Sequence, residues 1–117
     1  MDAKDGCIFC QILAGTRPAR MVYEGDELVA FEDIRPQAPT HLLIVPRRHL
    51  PSLREAVEED EAVLGRMLTV ASRLARERKI ESQGYRLVIN NGSWAGQSVD
   101  HLHIHLLGGR AFHWPPG

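Results

Sequence analysis

The segment DHLHIHLLGG, residues 100–109, sets His101, His103 and His105 in strict alternation with Leu102, Ile104 and Leu106. Successive side chains of an extended chain point to opposite faces. The alternation therefore predicts a half-buried β-strand, its three aliphatic side chains against a core and its three imidazoles together on the other face. A merely solvated strand face more often carries Thr, Lys or Glu, so three of the chain's six histidines in register point to chemistry. One metal ion cannot account for all three. A strand advances ~3.3 Å per residue, which starts His101 and His105 ~13 Å apart, whereas Zn–N bonds are only about 2.0–2.1 Å long. Two adjacent imidazoles could share an ion if further ligands came from elsewhere. Nucleophilic attack, proton handling and anion binding are the other options, all within the range of an imidazole near neutral pH.

The surrounding chain is what such a strand needs to be buried. Its 117 residues, 44% hydrophobic and 25% charged, suit one domain able to build a core without disulfide staples. Fourteen basic against fifteen acidic side chains give a formal charge of -1, with no basic excess to suggest nucleic acid. No apolar run approaches the ~18 residues of a membrane span, and MDAKDGCIFC lacks the apolar stretch of a signal peptide. The expectation is a cytoplasmic protein that binds neither nucleic acid nor membrane. CIFCQILAG reads as a short helix stopped by Gly15 and Pro18. MVYEGDELVAFED reads as a hairpin turning at Gly25-Asp26. THLLIVP, residues 40–46, is a buried strand ended by proline. Val63, Leu64, Met67, Leu68, Val70, Ala71, Leu74 and Ala75 recur at helical spacing and predict one long amphipathic helix over residues 60–79. YRLVIN is a further strand, NGSWAGQS a loop, and HWPPG an extended tail that cannot be helical. The fold class is α+β, a mainly antiparallel five-stranded sheet with one long helix and a short N-terminal helix.

HLHIHLL resembles the His-x-His-x-His-x-x signature of the histidine triad (HIT) superfamily. The longer blocks GQSVDHLHIHLLGGRAFHWPPG and FEDIRPQAPTHLLIVPRRH resemble its Hint branch, the purine nucleoside phosphoramidases; the likeness runs over about residues 7–117. The resemblance implies a single HIT domain over residues 1–117 and a homodimer whose two sheets join into one. It implies hydrolysis of purine nucleoside 5'-phosphoramidates or aminoacyl-adenylates. In such a reaction the imidazole matching His103 attacks the α-phosphorus, a nucleotidyl-histidine forms and the amine leaves. Water then releases the nucleotide, so that one hard displacement becomes two easier ones. Imidazoles matching His41 and His105, and the loop matching Gly96, Gln97, Ser98 and Val99, meet the phosphate charge in place of a metal cofactor. Ser98 lies near the leaving group. Asp33 matches the carboxylate that takes both ribose hydroxyls. Phe9, Ile12, Phe31 and Ile34 match the apolar slot for the purine, Asn90 the phosphate end, and Trp114 the tail residue that reaches the partner's site. Read on its own, Asp33 before Ile34 also fits a turn residue.

Cys7 and Cys10 have metal-ligand spacing, but a closed zinc site takes four ligands. Some relatives pair such a CxxC with histidines matching His49 and His101, which implies a structural zinc on Cys7, Cys10, His49 and His101. Two reduced, partly buried thiols and a redox CxxC are the other readings. Glu32, Asp100, Trp94 and Ala95 depart from the usual pattern of the family, which bears on the leaving group. His113 has no assigned role. A dinucleoside polyphosphate hydrolase or nucleotidyl transferase of the same superfamily, and a nucleotide-sensing interaction protein, are the competing functions.

Overall fold

The computed structural model describes residues 6–117. Helix α1 (Ile8–Leu13) leads into strands β1 (Met21–Glu24), β2 (Leu28–Glu32) and β3 (Thr40–Pro46). Two 3₁₀ turns, Leu53–Glu55 and Glu58–Asp60, precede the long helix α2 (Glu61–Glu77). Strand β4 (Tyr85–Val88), a 3₁₀ turn at Ser93–Ala95 and strand β5 (Ile104–Gly108) follow. All strand pairs are antiparallel, in the order β1-β2-β3-β5-β4. This is the α+β architecture that the periodicities predict. β1 and β4 are the sheet edges, so the expected joining of two sheets would start from one of them. Among the described residues, no helix is long and apolar enough to cross a membrane.

The sheet is buried on both faces, and the period of two along each strand decides what goes where. Leu28 and Ala30 of β2, Leu42 and Ile44 of β3, and Ile104 and Leu106 of β5 pack with Met67, Val70, Ala71, Leu74 and Ala75 of α2. The intervening residues Val29, Phe31, Leu43 and Val45 pack with Phe9 of α1 on the other face. The helical stripe holds except at Leu68, which is 49% exposed. It lies at the outer flank of the stripe, one residue beyond the buried Met67, where the sheet no longer covers it.

α2 stops without a glycine. The Ile80 N–H reaches the Ala75 carbonyl at 3.1 Å and the Lys79 N–H reaches Arg76 at 3.1 Å, the paired bonds of a Schellman ending. Lys79 supplies the left-handed residue, at φ 60°.

The histidine strand is shorter than the alternation predicts. The ladder between β3 and β5 ends at the pair Ile44–Ile104, so residues 101–103 run beside the sheet rather than in it. The next β3 residues lead to Pro46, which has no N–H to offer. The Leu102 N–H instead takes the Leu50 carbonyl at 2.6 Å. The alternation of faces survives this exit: Leu102 joins the α2 core, and His101 turns to the α1 side, against Phe9.

Candidate active site

The imidazole face is not solvated. α1 lies across it, with Phe9 standing edge-on to His101 and to His103 at ring-centroid distances of 5.8 and 5.1 Å. His101 and His103 are buried and His105 half-buried. Burial disfavours the charged form of an imidazole and lowers the pKa of all three, those of His101 and His105 to about 4. The chain thus holds its triad neutral at neutral pH.

Hydrogen bonds then assign the tautomers. His103 Nδ1 lies 2.7 Å from the His101 carbonyl. A carbonyl only accepts, so Nδ1 carries the proton and Nε2 keeps its lone pair. On β3, the Gln37 backbone N–H donates to His41 Nδ1 at 3.0 Å, which leaves the His41 proton on Nε2. That Nε2–H donates to His105 Nδ1 at 2.9 Å, and Asp33 Oδ2 lies 3.4 Å away. His105 in turn carries its proton on Nε2. Burial lowers the His41 pKa, and the Asp33 charge opposes that shift only in part. One imidazole therefore presents a lone pair and its neighbour, 5.0 Å away between ring centroids, presents a donor.

Both rings open on a cavity of about 420 Å³ lined by Phe9, Ile12, Phe31, Asp33, Ile34, Ser98 and Val99. Ile34 stands at the rim, 89% exposed. Asp33 does two things: Oδ1 accepts the Arg35 N–H at 2.8 Å, which makes the turn, and Oδ2 faces His41. His41 lies behind His105, and His101, Asn90, Gly96, Gln97 and Trp114 are not among the lining residues. Gln97 is occupied in folding its own loop. Its Oε1 accepts from the Gly92 N–H, and its amide donates to the Pro51 and Val99 carbonyls. Gly96, at φ 91°, ends the 3₁₀ turn in a conformation that a Cβ disfavours.

Glu32 is among the lining residues, but its carboxylate is drawn away to two arginines. Phe31 fills the cavity side of β2, so the next side chain turns to the other face. There it pairs with Arg78 at 3.3 Å and Arg20 at 3.8 Å. Trp94 stands fully exposed outside the lining, and Asp100 is also exposed. The lining residues not singled out above are Ile8, Arg17, Pro18, Ala19 and Leu43. Ile8 was within reach, since it sits one helical turn before Ile12. Residues 17–19 gave no signal, because only the turn after α1 brings them back.

A second constellation lies under the triad. Cys7 accepts the Cys10 N–H on its Sγ at 3.3 Å and so caps α1. The ligand atoms of Cys7, Cys10, His49 and His101 all lie within 4.8 Å of one another. His101 Nε2–H donates to the Pro46 carbonyl at 2.8 Å. Its Nδ1 lone pair therefore faces the two sulfurs, at 3.4 and 3.6 Å. His49 Nδ1 lies 3.3 Å from Cys10 Sγ. Two thiols and two imidazoles, one already held by a carbonyl, fit a tetrahedral zinc.

The HIT domain model matches residues 14–112. The chain belongs to the HIT domain family. An uncharacterized HIT-like protein of Synechocystis is 51% identical over 110 residues, spanning 94% of this chain and 96% of the relative. A HIT family hydrolase from Legionella pneumophila superposes with a TM-score of 0.94 at 47% identity, over 96% of this chain and 100% of that one. A zinc-bound histidine triad family protein from Mycobacterium smegmatis superposes at 0.78 with 33% identity, over 90% and 76% of the two chains. In this HIT domain the triad, the cavity and the four-ligand cluster share one short length of chain, residues 101–105.

Proposed function

We propose that this HIT protein is a hydrolase of purine nucleoside 5'-phosphoramidates, acting through a nucleotidyl-histidine at His103. The observation that carries the reading is the bond from His103 Nδ1–H to the His101 carbonyl. It aims an unprotonated Nε2, on a ring kept neutral by burial, into a cavity with a carboxylate at one wall and apolar side chains beyond it. His103 Nε2 forms a bond to the α-phosphorus while the P–N bond breaks, and the amine leaves with a proton, for which the Ser98 hydroxyl lining the cavity is the available donor. Water then attacks the same phosphorus and returns a proton to Ser98, the N–P bond to His103 breaks, and a nucleoside 5'-monophosphate departs. The His105 Nε2–H, held out by His41, meets the charge spreading over the phosphoryl oxygens. Asp33 accepts from the ribose hydroxyls, and Phe9, Ile12, Phe31 and Ile34 flank the base. Ser98 and Val99 border the phosphate end, with Asn90, Gly96 and Gln97 outside the lining, and aminoacyl-adenylates meet the same atoms. Trp114, 82% exposed and outside the cavity of its own chain, suits a tail that reaches a second copy.

Zinc, where bound, is structural in this reading and sits on Cys7, Cys10, His49 and His101. Four protein ligands leave no open position for a reacting water, and the bond-making atoms belong to His103. The relative from Mycobacterium smegmatis described as zinc-bound supports the assignment.

The test compares wild type with His103→Ala on an adenosine phosphoramidate, with a diadenosine polyphosphate in parallel. Loss of the nucleophile lowers kcat by at least about 10³-fold. Quenched wild-type enzyme shows a nucleotidyl mass adduct on the peptide holding His103. Near-normal turnover by His103→Ala, or faster cleavage of the polyphosphate by wild type, overturns the reading.

A further inference from the structure

We propose that Arg17 makes the cavity selective for 6-oxopurines, so that guanosine and inosine nucleotides bind ahead of adenosine nucleotides. The inference rests on the nucleotide reading above and concerns only which base the apolar end accepts.

The cavity has a direction. His103, His105 and Ser98 occupy the phosphate end and Asp33 the ribose. A purine joined to that ribose through its five-membered ring carries its 6-substituent on the part farthest from the sugar. Apart from His103, His105, Ser98 and Asp33, the lining is apolar except for two residues, Arg17 and Glu32. The Glu32 carboxylate is taken by Arg20 and Arg78. Arg17 is the one remaining source of side-chain hydrogen bonds at the base.

The turn after α1 builds this position deliberately. The Thr16 N–H bonds the Gln11 carbonyl at 2.9 Å and the Gly15 N–H bonds Ile12 at 3.0 Å, with Gly15 at φ 81°. That Schellman turn reverses the chain and lays Arg17 back along α1. There its Nε–H donates to Gln11 Oε1 at 3.0 Å. Gln11 is the only hydrogen-bond partner of Arg17 among the described residues, so the four N–H bonds on Nη1 and Nη2 stay available. A guanidinium donates and never accepts. Guanine and hypoxanthine offer O6 and N7, both acceptors, whereas adenine offers N7 beside an N6 amino group that is itself a donor. Donor facing donor leaves one adenine amino group and part of the guanidinium unpaired.

Calorimetric titration of the full chain with GMP, IMP and AMP tests the inference. Because Arg17 is exposed, the expected preference is at the low end for a bidentate pair, about 10-fold for GMP and IMP over AMP. In Arg17→Leu the preference falls to near one. A wild-type ratio near one, or IMP tracking AMP, overturns the inference. So does a preference that survives Arg17→Leu, or a variant that weakens all three nucleotides equally, the mark of a phosphate contact. Absence of binding by any of the three overturns the nucleotide reading itself, and the inference with it.

Discussion

His105 is surrounded by His103, His41 and Asp33, and its pKa falls to about 4 chiefly through burial, with the two neighbouring imidazoles adding to the shift and Asp33 opposing it. The unfolded chain binds a proton there at the ordinary value of 6.5. Between these two values the unfolded state holds more protons than the folded one, so stability rises with pH across that window. The contribution is complete above about 6.5 and is lost progressively as pH falls towards 4. Thermal melts from pH 7.5 to 4 are expected to show a falling Tm over this range, with a shallower fall in His105→Asn. Identical slopes in the two proteins would refute the assignment. The alternation of residues 101–106 told which way His105 points. It could not tell that the face was covered, because the covering helix lies some ninety residues earlier in the chain.

α2 was legible from its apolar stripe, its ends to within two residues, but how it stops was not. The stripe says which side is buried, whereas the stop depends on where the chain turns to meet Gly108 of β5, against which Ile80 packs. Lys79 holds the left-handed position that a glycine fills at lower steric cost. A non-glycine residue there pays ~1–2 kcal/mol, and glycine gives back part of this through the greater freedom of its unfolded chain. Lys79→Gly is therefore expected to raise stability by about 0.5–1 kcal/mol, read from urea midpoints at constant slope. A lower midpoint would mean that the lysine side chain contributes more than its backbone costs.

At the scale of the whole molecule, the cluster of Cys7, Cys10, His49 and His101 ties three separate lengths of chain together at the first histidine of the triad. Metal bound only by the folded chain adds its binding energy to folding. Elemental analysis of protein purified without added metal should find close to one zinc per chain. Cys7→Ser with Cys10→Ser should lower Tm by at least about 5 °C, with activity at low temperature falling less than stability. Zinc below about 0.2 per chain, together with an unchanged Tm, would leave two reduced thiols and remove the structural metal from the account.

Sequence alone determined the elements and the facing of side chains, because periods of two and 3.6 are local properties of a chain that must bury one side of each element. It also marked the triad and the CxxC, whose spacings lie within a few residues. Tertiary structure alone decided the proton positions on His41 and His103, since a tautomer follows from whichever donor or acceptor the fold brings to the ring. It decided likewise that Glu32 faces Arg78, 46 residues away, and that Arg17 joins the lining of the cavity. Those contacts depend on how a turn directs the next residues, and that direction is set by the packing of the elements on either side.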